Sequence, residues 1–572
     1  MKQTGAQIIV KLLEMYGIET VAGIPGGSIL PLYDELNRSS IRHVLVRQEQ
    51  AAGFIAQGIT RSTGKVAVCM ATSGPGAMNL LTSIADARAD SIPIIAITGQ
   101  VNTSLIGTDA FQEADTFGLS FPITKHSMMV KSPEELLTAI PEAFEIAQNG
   151  RPGPVLIDVP RDVQLKECEF DAWPDIEAVR VHDIRFHTPI AEYGEKLTEI
   201  IEALKNAKRP VLYCGGGCNS EEAAAGVKTF VQAYSLPLVT SLMGLGCLPE
   251  SMPNFIGMLG MHGNYAANLA IHDSDLVIAA GVRFDDRATG LVSQFCPNAK
   301  IIHVDIDAAE VDKILSANIS IVADVESVFP VLTQLISEQK VTAPEAWLKK
   351  IIKVKEENTS VACGRPKGEK LANPRDIIAK IPSYAKECGI LEEKLIATTD
   401  VGQHQMWAAQ YYPVERPRSF LTSGSLGTMG FGLPVAIGAS IANPDSRVVC
   451  FSGDGSIMMN IQEMATLAEL NLPVTIIVFQ NGTLGMVYQQ QKFLFDKNYS
   501  ASVFGKVPDL LSIAKGFGIE AIDADTDPDW YKKAFDTKNP VKPRFVRVSV
   551  DPEETVLPFV PGGKANIDSI RD

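Results

Sequence analysis

Cysteine and histidine are scarce and scattered in this 572-residue chain, with nine cysteines and eight histidines. No Cys-x-x-Cys pair and no His-Glu-x-x-His run occurs, which argues against structural zinc and zincin chemistry and offers no disulfide framework. A reduced, cytoplasmic setting is the expectation. No uninterrupted apolar run reaches the roughly 18 residues that a membrane span needs, so no membrane-embedded segment is expected. Positive charge is also in short supply: 51 Lys plus Arg against 67 Asp plus Glu leaves a formal charge of −16. Nucleic-acid binding, which rests on clustered cations, is disfavoured. What is plentiful is ordinary core material, with 46% hydrophobic and 21% charged residues. Disorder is excluded, and the length predicts about three or four domains.

The opening MKQTGAQIIVKLLEMYG has its apolar residues interrupted by Lys11 and Glu14 at helical spacing. With Thr4 and Gln7 forming a capping box and Gly17 as a stop, it predicts a core helix of the folded protein and not a cleaved leader. Further on, three stretches repeat one grammar of β-branched apolar run, glycine-containing turn and helix-period segment. This is the pattern of parallel, doubly wound α/β units. The first contains HVLV, KVAVCMAT, IPIIAIT and GPVLIDV; the second RPVLYCGGG, LPLVTSL, DLVIAAGV, KIIHVDID and ISIVADV; the third KLIATTD, RVVCFSGDG, LPVTIIVF and PRFVRVSV. Between the second and third, the polar, Lys-rich stretch with Pro344, Pro366 and Pro374 predicts a linker carrying a short exposed helix.

Residues just after strands are where such sheets bind ligands. Gly453, Asp454, Gly455 and Ser456 follow the run RVVCFS, and Asn481 follows VTIIVF. A Gly-Asp-Gly turn admits a diphosphate close to the backbone, and the predicted helix start behind it offers N–H donors. Asp454 and Asn481 supply two hard oxygen donors of the kind Mg²⁺ takes beside phosphate. An Asp-Gly turn alone is commonplace; the strand, helix, strand, Asn context gives this one its meaning.

The arrangement resembles the thiamine-diphosphate motif, GDG followed by Asn, with Gln480 standing where the family commonly has a first Asn. The resemblance makes the main-chain carbonyl of Thr483 a third metal ligand. Glu49, after HVLV and at the start of an apolar helix, is the carboxyl expected to hydrogen-bond the cofactor's pyrimidine. IPGGSILPLYDEL, TSGPGAMNLLTSIADA, GTDAFQEAD, GMLGMHG, GVRFDDR, TDVGQHQMWAAQ and GTMGFGLPVAIGA extend the match in order over nearly the whole chain. Together they resemble the catalytic large subunits of the acetohydroxyacid synthase, or acetolactate synthase, family.

That resemblance implies a pyrimidine-binding domain at 1–180, an FAD-binding domain at 190–338, the linker at 339–372, a diphosphate- and Mg²⁺-binding domain at 373–550 and a C-terminal tail at 551–572. It implies a homodimer or homotetramer in which Glu49 of one copy faces the GDG turn of another. Further thiamine positions are Gln403, His404, Gly427, Thr428 and Met429, then Leu484, Gly485 and Met486, with Met429 as the wedge that bends the cofactor. Gly27, Gln112 and Lys125 are carried over as catalytic positions lining the substrate approach.

Gly215 and Gly216, after VLYC, suit a nucleotide, and the resemblance assigns FAD to them. It adds Arg151, Ser241, Leu242, Met243, Leu259, Gly260, Met261 and His262, then Gly281, Val282, Arg283, Asp285 and Arg287. Asp305, Ile306, Asp324, Val325 and Gly424 complete the set. Arg287 also matches the residue that binds the second substrate's carboxylate, which a guanidinium fork recognises well. Phe111, Val487 and Gln490 match other substrate-lining positions. Gln490 departs from the Trp usual in the family, a change shared by a few bacterial isozymes, and predicts a weak preference for the longer acceptor. Gln48, where His is commoner, is a second departure.

The implied activity is decarboxylation of pyruvate and transfer of the hydroxyethyl unit to pyruvate or 2-oxobutanoate, giving 2-acetolactate or 2-aceto-2-hydroxybutanoate on the way to branched-chain amino acids. A small regulatory subunit is the implied partner. The competing expectation is a pyruvate oxidase-like flavoenzyme that passes electrons to FAD.

Overall fold

The computed structural model describes residues 1–176, 190–359, 371–537 and 542–571. Three six-stranded sheets follow one another along the chain. The first runs, edge to edge, Arg42–Leu45, Thr20–Ile24, Ala67–Ala71, Ile94–Gln100, Val155–Pro160 and His126–Met129, all in parallel. The second runs Phe255–Met258, Leu238–Thr240, Pro210–Cys214, Leu276–Ala280, Lys300–Asp305 and Ile319–Val322. The third runs Phe420–Leu421, Leu395–Thr399, Arg447–Gly453, Val474–Gln480, Arg544–Ser549 and Glu520–Asp523. The doubly wound α/β class read from the sequence is therefore the observed class, three times over.

Numbering the strands of each sheet by chain order, the first and third share the order 2-1-3-4-6-5, whereas the middle sheet is 3-2-1-4-5-6. The latter is the order of dinucleotide-binding sheets, whose ligands lie where the winding reverses. Here that point falls between Pro210–Cys214 and Leu276–Ala280, whose strand-end glycines meet: a Cβ on Gly215 would stand 2.1 Å from the Gly281 carbonyl.

The first helix, Gly5–Met15, starts at the Thr4 and Gln7 capping box, buries Ile8, Ile9, Leu12 and Leu13, and is followed by Gly17 at φ 72°. A two-stranded antiparallel pair, Lys2–Thr4 with Glu167–Glu169, ties the two ends of the first domain together. The first and third domains share one core. Helix Glu49–Thr63 lies against Gly432–Ala442 so closely that a Cβ on Gly58 would meet the Val435 carbonyl at 2.3 Å and one on Gly438 the Ile55 carbonyl at 2.1 Å.

Two sequence expectations are corrected. The expected linker helix is Glu345–Thr359 and is not an exposed spacer: Trp347, Leu348 and Ile351 lie in the middle domain's core, with Trp347 Nε1 donating to the Pro210 carbonyl at 3.1 Å. Its apolar residues fall on one face, so the polar composition describes only the other. Residues 360–370 of that stretch lie outside the described ones. The single helix expected after the GDG turn is two, Asp454–Ile457 and Glu463–Leu470. The C-terminal stretch after residue 550 packs back over the middle domain. Phe559 is buried, Val560 N–H donates to Met261 O at 2.9 Å, and Asn566 Nδ2 donates to Ala288 O at 2.7 Å.

Candidate active site

One cleft of about 2070 Å³ runs between the domains. It exceeds the roughly 300–1,000 Å³ of a site for one small ligand, so it has room for two extended cofactors.

At one end stand the strand ends of the third sheet. Gly453 and Phe479 are paired across neighbouring parallel strands, which brings Asp454 and Asn481 side by side. Asp454 accepts from the N–H groups of Gly482 at 2.7 Å and Gly455 at 3.0 Å, and its burial pushes the carboxyl up to about 6. Asn481 Oδ1 accepts from Thr483 N and Oγ1 at 3.0 and 2.9 Å, while its amide donates to Gln403 Oε1 at 3.2 Å. Among the described residues no group of three His, Cys, Asp or Glu is placed to hold a metal. A cation here would be held by one desolvated carboxylate with amide and main-chain oxygens, a hard donor set that fits Mg²⁺.

Glycines set the close packing: a Cβ on Gly485 would fall 2.1 Å from Gln403 Oε1, and one on Gly453 3.0 Å from His404 Nδ1. Burial depresses His404 to about 3, so it faces the site as neutral imidazole. Gly427, Met429, Gly455, Ser456, Thr483, Leu484, Met486, Val487 and Gln490 also line this end. Met429 is a half-buried wall residue and not core filler. Thr428 is turned away, its hydroxyl donating to Asp86 Oδ2 at 2.7 Å.

The other end is the switch point of the middle sheet. Gly215, Gly216, Ser241, Leu242, Met243, Leu259, Met261 and His262 line it, as do Gly281, Val282, Arg283, Asp285, Arg287, Ile306, Asp324, Val325 and Gly424. Burial raises Asp305 to about 7 and lowers His262 to about 4. Arg151 crosses from the first domain to ion pairs with Glu310 at 2.5 Å and Asp307 at 3.2 Å. Gly260 lies behind the wall: its N–H donates to Asn268 Oδ1 at 2.8 Å, and the missing Cβ makes room for the Arg287 carbonyl. Strand order, the Gly215–Gly281 approach and this acidic strand end fit a flavin dinucleotide. The Arg287 side chain is 68% exposed, with Nε 3.8 Å from Asp286 Oδ2 and Nη1 3.8 Å from Met261 Sδ, so only a long, exposed ion pair competes with an anion for its fork.

Besides Thr428 and Gly260, five expected positions lie off this cleft, all from the first domain: Gly27, Glu49, Phe111, Gln112 and Lys125. Three of them share a second hollow at the switch point of the first sheet. Glu49 Oε2 accepts from Asn79 Nδ2 at 2.9 Å, and a Cβ on Gly76 would stand 3.5 Å from Glu49 Oε1 and 2.7 Å from Thr72 Cγ2. Thr72 in turn closes on Gly26, next to the exposed Gly27, and Gly74 lies against the Gln112 backbone, which has φ 59°. Phe111 beside it is 89% exposed. Lys125 belongs to neither group. Its ammonium donates to the Asn149 carbonyl, and burial with the nearby Arg88 lowers it to about 8. Phe117 and Phe121, a few residues along the chain from Gln112, are also exposed.

Two features lie outside the sequence expectations: Asn79, which holds the Glu49 carboxylate, and the buried group of Arg61, Asp86 and Asp90. Asn79 sits within the quoted GPGAMNL run, and the two acids are four apart in ADARAD, the one signal that marked them as a pair.

These features define a thiamine pyrophosphate enzyme. Residues 3–119 match the N-terminal TPP binding domain of that class, 197–335 its central domain and 400–547 its C-terminal TPP binding domain. The chain is 49% identical over 571 residues to the acetolactate synthase isozyme 1 large subunit of Escherichia coli, covering 100% of this chain and 98% of that one. It is 43% identical over 569 residues to the isozyme 2 large subunit of the same organism, with 99% of each covered. A third relative, the acetolactate synthase large subunit of Cyanidium caldarium, is 42% identical over 580 residues, with 99% of this chain and 96% of that one covered. The chain belongs to the acetolactate synthase large-subunit family.

Proposed function

We propose that two copies of the chain form the working enzyme, the Glu49 hollow of one closing on the Asp454 end of the other's cleft, with thiamine diphosphate between them and FAD at the middle sheet. The observation that carries this is the division of site residues: the two half-sites stand at equivalent switch points of two sheets with the same strand order, yet open separately in one chain. The exposed Phe111, Phe117 and Phe121 on one side and Leu426, Met458 and Phe495 on the other supply apolar surface to bury.

Thiamine diphosphate, when bound, accepts the electron pair left as carbon dioxide departs from a 2-oxo acid. The chain's part is to bind and orient. Asp454, Asn481 and the Thr483 carbonyl would hold Mg²⁺ against the diphosphate. Glu49, kept in place by Asn79, would hold a proton at the pyrimidine nitrogen. Met429, on the cleft wall, would pack against the cofactor. Arg287 would take the carboxylate of the acceptor, pyruvate or 2-oxobutanoate, and Gln490 would line the wall that meets the acceptor's alkyl group. Joining two 2-oxo acids with loss of carbon dioxide is redox-neutral, so the reaction calls on no electron acceptor.

The relatives' names, as large subunits, support a smaller regulatory partner, and the eight described free cysteines suit a cytoplasmic enzyme. No described helix is long and apolar enough to cross a membrane. Product analysis with pyruvate and 2-oxobutanoate in competition tests this reading: both acetohydroxy acids should form. Absence of both would overturn it.

A further inference from the structure

The end of helix Pro75–Ala89 carries two acids one turn apart, Asp86 and Asp90, whose side chains have 0% exposure. Acids at a helix C-terminus oppose the dipole, and two buried carboxylates beside one guanidinium are costly unless every oxygen finds a donor. Here every oxygen does. Arg61 approaches Asp86 Oδ1 at 3.3 Å and Asp90 Oδ2 at 2.9 Å, and Gln57 Oε1 braces the guanidinium by accepting from its Nε and Nη2 at 3.0 and 2.8 Å.

The remaining donors come from the third domain, more than 300 residues on. The hydroxyls of Ser423 and Thr428 donate to Asp86 Oδ2 at 2.5 and 2.7 Å. The N–H groups of Gly424 and Ser425 donate to Asp90 Oδ2 and Oδ1, each at 2.8 Å. Arg61 Nη1 closes the group by donating to the Thr422 carbonyl at 3.0 Å. All of these bonds grip the base of one loop, 422–430, and Thr428 N–H donates to Ser423 Oγ at 2.9 Å to join the two ends of that base. The loop faces the cleft along its length, Gly424 on the flavin side and Gly427 and Met429 on the thiamine side.

We infer that Asp86, Asp90 and Arg61 are positioning residues: the first domain, whose own Glu49 faces elsewhere, grips loop 422–430 of its own chain and so sets the wall between the two cofactors. This rests on the thiamine and flavin reading above. A loop already shaped by buried bonds need not be ordered when its ligands bind, so releasing it should weaken both cofactors together.

The test uses the full chain with Asp86→Asn and Ser423→Ala. Ser423→Ala removes one hydroxyl and keeps both carboxylates, which leaves a readable variant if Asp86→Asn does not fold. Thiamine diphosphate is titrated with Mg²⁺ present and followed by protein fluorescence, flavin retention is read by visible absorbance after gel filtration, and unfolding of the cofactor-free protein is measured in parallel. The expected result is an apparent Kd for thiamine diphosphate about tenfold higher. Flavin is lost at the same time, and kcat falls while KM for pyruvate stays within about twofold. The cofactor-free unfolding midpoint of Ser423→Ala falls, because a buried carboxylate loses one donor, but by less than the loss of cofactor affinity. Unchanged affinity for both cofactors in the folded variants overturns the inference, as does a loss of affinity matched by an equal loss of cofactor-free stability. A wild-type chain that binds neither cofactor overturns the reading of the cleft itself.

Discussion

Glu49 takes its hydrogen bond from Asn79 of its own domain and stands outside the cleft that Asp454 lines. Two carboxylates that the thiamine reading assigns to one reaction thus belong to different hollows of one chain. If two copies supply them, Glu49→Gln and Asp454→Ala should each be inactive alone and complement when mixed. With random exchange of equal amounts, half the dimers are mixed and each keeps one intact site, so about a quarter of the wild-type rate should return. No recovery after verified subunit exchange would contradict a shared site.

Glu49→Gln alone should lower kcat by about 10²- to 10⁴-fold, the usual contribution of a positioned acid–base group. The fold should be retained, since the side chain bonds only at a half-buried hollow. Near wild-type turnover by a correctly folded variant would remove Glu49 from the chemistry.

Gln490 lines the cleft beside Val487. Gln490→Trp would add apolar surface where the acceptor's extra methyl is expected, and a methylene is worth about 1–3 kcal/mol of discrimination. The ratio of 2-aceto-2-hydroxybutanoate to 2-acetolactate in a competition assay should rise about tenfold or more. An unchanged ratio would show that this wall does not meet the acceptor.

Much of this was legible in the chain. Strands with β-branched runs, such as Leu276–Ala280 and Val474–Gln480, announce themselves, and a GDG turn with a later Asn points to two strand ends that prove to be neighbours. The strands not foreseen are short and mostly at sheet edges: Phe255–Met258, His126–Met129, Phe420–Leu421 and Glu520–Asp523. Thr20–Ile24 hid for another reason. It holds Gly23, whose missing Cβ lets the Met70 carbonyl approach, and a glycine breaks the apolar run that marks a strand. The grip of Asp86 and Asp90 on loop 422–430 was not legible because it joins distant segments, and no local spacing reports it.

The C-terminal segment is an ordered strap. Phe559 is 1% exposed, with its ring centroid 5.7 Å from that of His262 and 5.6 Å from that of Phe493. Phe559→Ala should cost about 3–5 kcal/mol locally and loosen the middle domain's side of the cleft. Flavin retention on gel filtration should fall while the third domain's Mg²⁺ dependence is unchanged. Full flavin retention would show the strap to be dispensable there.

Asp158 gives a pH signature in the first domain. Burial pushes its carboxyl from 3.8 up to about 7, although Thr98 Oγ1 and Gln100 Nε2 donate to it at 2.7 and 2.9 Å. The folded chain therefore keeps a proton that the unfolded chain releases, and stability falls as pH rises from about 4 to 7. Asp158→Asn should remove this slope, so the urea midpoint of the variant gains on the wild type between pH 5 and pH 8. Parallel slopes would contradict the assignment.

Carboligation by this chain should proceed without net electron transfer to a flavin. Mixing the FAD- and thiamine-loaded enzyme with pyruvate in the absence of oxygen tests it directly. 2-Acetolactate should form steadily with the flavin absorbance preserved; stoichiometric bleaching of the flavin without acetolactate would identify an oxidase instead.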